Sequence, residues 1–208
     1  MQIRRKRFVV TVVFAVLWIG AVAVGLRSLF AYEHRAGAVG TIARSWPGSQ
    51  VPRASDRPTL VMIAHPRCAC TRASVGELAE VMAVARQKIA AYVLFVTPRE
   101  AGDDWTNTAL EHEAAAIPGV TVISDLDGAE ARRFGAETSG HTFLFAADGR
   151  LLFSGGITGS RGHLGDNLGK DAVVSLASNE TAAANETLVF GCALKERSKA
   201  SVENELAQ

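Results

Sequence analysis

At 208 residues, 48% hydrophobic and 21% charged, the chain has enough apolar sequence for one ordinary globular domain with some to spare. A net charge of +1, with the basic residues dispersed after residue 7, excludes the cationic stripe of a nucleic-acid binder. Three cysteines are too few for a disulfide-stapled scaffold, and the odd count leaves at least one thiol without an intramolecular partner.

The first predicted element is apolar. Arg4, Arg5, Lys6 and Arg7 precede the uncharged run FVVTVVFAVLWIGAVAVGL, Phe8 to Leu26. As a helix this run covers about 28 Å, close to the hydrocarbon thickness of about 30 Å. The basic cluster before it, against the single Arg27 directly after it, favours a cytoplasmic N-terminus with everything downstream exported. A cleaved signal peptide is the alternative, with Ala21-Val22-Ala23 or Ala36-Gly37-Ala38 as the small-residue cleavage site. The run exceeds the roughly 7–15 residues of a signal core, which favours a retained anchor. Arg4-Arg5 also fits a twin-arginine signal, but inside-positive charge explains it more simply. The sequons at Asn179 and Asn185 matter only in a eukaryotic secretory pathway.

Residues 28–57 mix Gly, Pro, Ser and charge without a sustained period and read as a membrane-proximal linker. The domain is predicted over residues 58–195, between an anchor or signal at 1–27 and a charged tail at 196–208. Thr59 to Ala64 is a short apolar run suited to a buried strand. After it, Thr71 to Gln87 sets Val75, Leu78, Met82 and Ala85 at helical spacing. Ala91 to Val96 is a second strand, Asp104 to Ile117 a helix stopped by Pro118-Gly119, and Val120 to Ile123 a third strand. Ala129 to Phe134 is a short helix ending at Gly135. Thr142 to Ala146 and Arg150 to Ser154 flank an Asp148-Gly149 turn, a hairpin signal. Asp166 to Ser178 is a last helix, capped by Asp166 or Asn167. Alternating strands and helices followed by a hairpin imply an α/β domain, a central mixed sheet with helices on both faces.

Between the first strand and the first domain helix stands His65-Pro66-Arg67-Cys68-Ala69-Cys70-Thr71. The element order, with a cysteine motif opening the helix after a core strand and a late hairpin behind it, resembles the thioredoxin-like superfamily over about residues 58 to 180. HPRCACTRAS, SGHTFLF leading into DGRLLFSGGI, and the late VFGC are similar to membrane-tethered thioredoxin-like proteins of the RedB type. The resemblance implies a thioredoxin-like fold behind one transmembrane helix, and a thiol–disulfide oxidoreductase at the inner membrane facing the periplasm. It implies protein thiols and disulfides, and a membrane or periplasmic redox partner, as its partners. No cofactor is implied.

A cysteine at a helix N-terminus meets unpaired backbone N–H groups and the positive end of the helix dipole, which stabilise thiolate. Cys68 lies just before the helix and Cys70 at its mouth, with Arg67 and Arg72 nearby and His65 adding charge if protonated. By analogy with thioredoxins, Cys68 attacks and Cys70 resolves. Two inert buried thiols are the bland alternative. The motif departs from the thioredoxin pattern in having one residue between the cysteines, so a Cys68–Cys70 disulfide closes a tighter ring, is expected to be strained and is easier to reduce. It departs again at Ser139-Gly140-His141-Thr142, where His141 takes the place of the cis-proline and is expected to face the cysteines.

That histidine supports a second resemblance, to the Sco-type copper proteins, in which two cysteines at the helix mouth and a histidine at the hairpin strand bind copper. Cys68, Cys70 and His141 correspond, and two thiolates with an imidazole make a soft site that selects Cu(I). The spacing departs here as well, since the Sco motif separates its cysteines by three residues. Cys192 reads as a buried structural thiol or, if the tail folds back over the helix mouth, as a resolving thiol or third sulfur ligand. The glycine-rich Gly155 to Gly169, carrying Arg161, His163 and Asp166, matches no phosphate loop. It reads as a long connection or as a rim beside the site.

Overall fold

The computed structural model describes residues 2–99 and 105–194. The chain divides into two units, Met1–Arg35 and Ala36–Gln208. The first is a single helix, α1 (Gln2–Glu33), whose large apolar side chains from Phe8 to Phe30 are exposed on every side. A helix built to cover a soluble core keeps its apolar residues in one stripe, and α1 does not. Its segment Arg4–Glu33 is long and apolar enough to cross a membrane.

In the second unit five strands, β1 (Thr59–Ala64), β2 (Ala90–Thr97), β3 (Val120–Leu126), β4 (His141–Phe145) and β5 (Leu151–Gly155), form one sheet in the order β3-β2-β1-β4-β5. The pairs β1–β2 and β2–β3 are parallel, whereas β1–β4 and β4–β5 are antiparallel. Helices α2 (Ala69–Ala85), α3 (Ala109–Ala115), α4 (Ala129–Phe134) and α5 (Leu168–Ala177) fall between and after the strands. This is the predicted order, and the mixed sheet with helices is the predicted class.

All six residues of β1 are buried because both faces of the central strand are covered. Leu60, Met62 and Ala64 point to the face shared with Leu78 and Met82 of α2 and Val173 of α5. Val61 and Ile63 point to the other, among Phe134, Phe143 and Phe145. This division decides on which side of the sheet each site residue lies.

Local chemistry sets the boundaries. Helix α3 begins at Ala109, later than the predicted Asp104, because Thr108 and Glu111 cap it reciprocally. The Glu111 N–H donates to Thr108 Oγ1 at 3.3 Å and the Thr108 N–H to Glu111 Oε2 at 2.9 Å. Asp104 itself, like the charged tail predicted at 196–208, lies outside the described residues. Helix α5 is capped by Asn167, whose side chain accepts the Lys170 N–H at 2.9 Å.

The predicted linker at 28–57 is corrected at both ends. Its first residues continue α1, and from Ala36 onward the chain belongs to the domain. Trp46 sits edge-on to Phe134 and Phe145, with ring centroids 5.4 and 5.2 Å away, and Val51 is buried. The Trp46 N–H donates to the Gly149 carbonyl at 2.7 Å, and Gly40 to Gly135 at 3.1 Å. One tryptophan and one valine spaced by turns produce no period, so composition alone reads this segment as a spacer. Trp46→Ala is expected to destabilise the domain by about 2–4 kcal/mol, read from the urea midpoint of the full chain.

Candidate active site

The turn His65-Pro66-Arg67 brings the chain from β1 to α2, and Cys68 is the N-cap of that helix, in extended conformation with φ −88° and ψ 109°. Cys68 is only 2% exposed. Its sulfur lies 2.9 Å from Cys192 Sγ, so the late cysteine reaches the helix mouth. Burial pushes the Cys68 thiol up. Hydrogen bonds from the Cys192 thiol and the Thr71 side chain, with further ones from the Cys192 and Thr71 backbone, outweigh burial and hold it below the ordinary thiol value. The Thr71 hydroxyl lies 2.5 Å from Ser139 Oγ, which accepts the His65 N–H at 2.7 Å. Ser139 therefore braces the motif from the loop before β4.

Cys70, in the first turn of α2, is half-buried. Burial and the negative charge of Cys68 push its thiol up, while the Arg161 guanidinium, which also hydrogen-bonds it, pulls the other way. Arg161 Nη1 further donates to the Gly191 carbonyl at 2.5 Å. Cys192 is exposed as a residue but turns its sulfur inward onto Cys68. Burial of that sulfur, its hydrogen bond to Cys68 and the charges of Cys68 and Cys70 push its thiol up to about 12.

The cation beside the thiols is thus Arg161, from the glycine-rich segment, rather than the expected neighbours. Arg67 stacks over the Trp105 ring at 4.6 Å, and Arg72 pairs with Glu113 of α3 at 3.3 Å. His65 Nδ1 accepts the Arg67 N–H at 3.1 Å, so that nitrogen carries no proton in this arrangement, and its ring meets Trp105 edge-on at 5.2 Å. Glycine density around Arg161 was the available signal for its role. Ser139, Thr71 and Trp105 had none beyond proximity in sequence to the motif or the hairpin.

The expectation that His141 faces the cysteines is corrected. His141 pairs with Ile63 in the β1–β4 register and stacks on Phe143 with centroids 4.2 Å apart, which puts its ring on the face opposite α2. Its Nε2 lies 2.9 Å from Ser154 Oγ, and Nδ1 has no hydrogen-bond partner among the described residues. Among those residues, no three His, Cys, Asp or Glu side chains are grouped to hold a metal ion. Among the described residues the copper set Cys68, Cys70 and His141 is thus not grouped: the His141 ring lies on the face of the sheet opposite α2, whose mouth carries the thiols.

Burial holds the His141 imidazole down to about 4. An unfolded histidine titrates near about 6.5, so between the two values the unfolded chain binds a proton that the folded chain does not. Stability therefore falls as the pH drops through this window, by about 3 kcal/mol once it reaches the folded value. His141→Phe is expected to flatten that slope, which urea midpoints measured from pH 7 to pH 4 will show.

An open groove of about 980 Å³ runs from Arg161 and Gly191 past Thr138 to Arg132. No protein-family model matches the chain, and no curated protein sequence matches it. Solved structures do. An uncharacterised conserved protein from Geobacillus kaustophilus aligns with a TM-score of 0.55 at 14% identity, over 80% of this chain and 96% of that one. A hypothetical protein from Sinorhizobium meliloti 1021 aligns with a TM-score of 0.54 at 18% identity, over 80% and 98%. The fold is thioredoxin-like. A secreted disulfide oxidoreductase from Mycobacterium tuberculosis, described as homologous to DsbE of E. coli, aligns with a TM-score of 0.42 at 14% identity, over 60% and 82%. In this thioredoxin-like domain the cysteine motif stands where β1 passes into α2, and the loop before β4 lies against it.

Proposed function

We propose that the chain is an extracytoplasmic thiol–disulfide oxidoreductase, tethered to a membrane by α1, with Cys68 as its attacking thiolate. The observation that carries this reading is a buried sulfur at a helix N-cap, held toward its ionised form by hydrogen bonds, with a second thiol 2.9 Å away. Thiolate is the reactive form of cysteine in exchange, and a neighbouring thiol is what releases the mixed disulfide that attack creates. The substrates are protein thiols and disulfides, for which the groove beside Arg161 and Gly191 leaves room. A membrane or periplasmic redox partner restores the starting state. The basic residues before the apolar run support export of the domain. Copper handling is the second reading, and the position of His141 argues against it.

The test is dithiothreitol-driven reduction of a glutathionylated peptide by the detergent-solubilised full chain. Acceleration over the uncatalysed rate is the expected result, and equal rates with and without the protein overturn the reading. Copper retained at one equivalent by reduced protein, and lost in His141→Ala, favours the metal reading instead.

A further inference from the structure

We infer that Cys192, not Cys70, is the thiol that resolves Cys68, so that each turnover passes through a Cys68–Cys192 disulfide joining the C-terminal segment to the mouth of α2. The inference rests on the thiol–disulfide reading above and names the second redox residue of that same site.

Cys192 is a fixed neighbour of Cys68. The segment carrying it lies along the domain like an added strand. Thr187 N–H donates to the Ser154 carbonyl at 3.3 Å, Gly37 N–H to the Val189 carbonyl at 2.8 Å and Leu194 N–H to the Glu137 carbonyl at 2.9 Å. The Cys192 carbonyl itself accepts the Ser139 N–H at 2.8 Å, and Thr138 pairs with Ala193 in an antiparallel bridge. Val189 and Phe190 are buried beneath. A Cβ at Gly191 would run into the Ser139 carbonyl, so glycine there permits the close approach that aims Cys192 inward. A disulfide of about 2.05 Å needs the two sulfurs to close by less than about 1 Å from their present 2.9 Å.

Cys70 is placed differently. Its thiol also hydrogen-bonds Cys68, but it stands only two residues on, so a disulfide between them closes a ring over the single residue Ala69. So short a ring is expected to be strained, whereas Cys192 approaches from outside the helix with its sulfur already 2.9 Å from Cys68. Arg161, bonded to both Cys70 and the Gly191 carbonyl, fixes Cys70 beside the pair, while burial and the charge of Cys68 keep it a thiol against the pull of that guanidinium.

The step balances as a two-electron exchange. The Cys68 thiolate attacks one sulfur of a substrate disulfide, forming a mixed disulfide and releasing the other sulfur as thiolate. Cys68 then no longer carries the charge that helped to keep Cys192 protonated. Cys192 loses its proton to the departing thiolate and attacks Cys68 Sγ, expelling the second substrate sulfur. Cys68 and Cys192 end oxidised to a disulfide, the substrate ends as two thiols, and the second substrate thiolate takes its proton from solvent.

The experiment treats the reduced full chain in detergent with glutathione disulfide, blocks free thiols with N-ethylmaleimide, and maps tryptic peptides by mass spectrometry. Residues 68–72 carry Cys68 and Cys70, and residues 171–195 carry Cys192. The expected result is a cross-link between these peptides in the wild type and in Cys70→Ser. In Cys192→Ser, glutathione should remain on Cys68, with release slowed about 100-fold or more as an intramolecular attack is lost. A disulfide within residues 68–72, with Cys192→Ser releasing glutathione at the wild-type rate, overturns the inference while leaving thiol exchange standing. Failure of Cys68 to take up glutathione in every variant overturns the exchange reading and the inference together.

Discussion

Cys68→Ser will bring disulfide exchange by the full chain down to the uncatalysed rate, with little change in the urea midpoint. A serine hydroxyl at neutral pH is not ionised and forms no mixed disulfide, so loss of this one sulfur removes the chemistry rather than weakening it. Serine fills nearly the same volume and keeps a hydrogen-bonding group at an N-cap, where serine is favoured, so α2 retains its start. A companion measurement separates reactivity from mere presence. Alkylation of Cys68 by iodoacetamide as a function of pH should show a midpoint below that of an ordinary thiol, because the donors from Cys192 and Thr71 outweigh burial. Thr71→Val or Cys192→Ala removes one donor and leaves burial in place, so the midpoint moves up in each. A Cys68→Ser protein that exchanges disulfides at the wild-type rate would remove Cys68 from the reaction.

What the sequence made legible was local. The apolar runs of β1 and β2, the helix ending on Gly135 and the hairpin at Asp148-Gly149 each carry their signal within a few residues, and each stands within a residue or so of its predicted place. The start of α3 was misplaced because the capping pair Thr108 and Glu111 lies inside a longer stretch of helix-forming residues. The site depended on long-range relations that no local pattern carries. His141 was placed beside the thiols by its position before the hairpin. On a strand, however, a side chain's face is fixed by register, and the pairing with Ile63 turns it away. Ser139, two residues earlier, makes the contact instead. The approach of Cys192 to Cys68 spans 124 positions of sequence and depends on the path of a segment with no periodicity. Arg161 is delivered by a loop whose composition announced tight turns but not their direction.

That loop is held by a buried ion pair, and Lys170→Met will show its weight. Lys170, at the start of α5, places Nζ 2.8 Å from Glu77 Oε2 and 2.6 Å from Glu80 Oε2. Glu77, on α2, has a fully buried side chain, and its other oxygen accepts the Gly165 N–H at 2.5 Å. One carboxylate thus ties the helix that opens at Cys68 to the loop that carries Arg161. Truncating only the lysine strands a negative charge in the core, and breaking a buried pair in this way costs about 3–5 kcal/mol, which the urea midpoint will register. Lys170 also reaches the exposed Glu80, but exposed pairs contribute about 1 kcal/mol or less, so most of the loss belongs to Glu77. The double variant Glu77→Gln with Lys170→Met separates charge from packing. Glutamine keeps an acceptor for Gly165 and removes the stranded charge, so the double variant should recover most of the lost stability. A Lys170→Met chain as stable as the wild type would mean that Glu77 finds water or a proton where, among the described residues, it has the lysine and one backbone N–H.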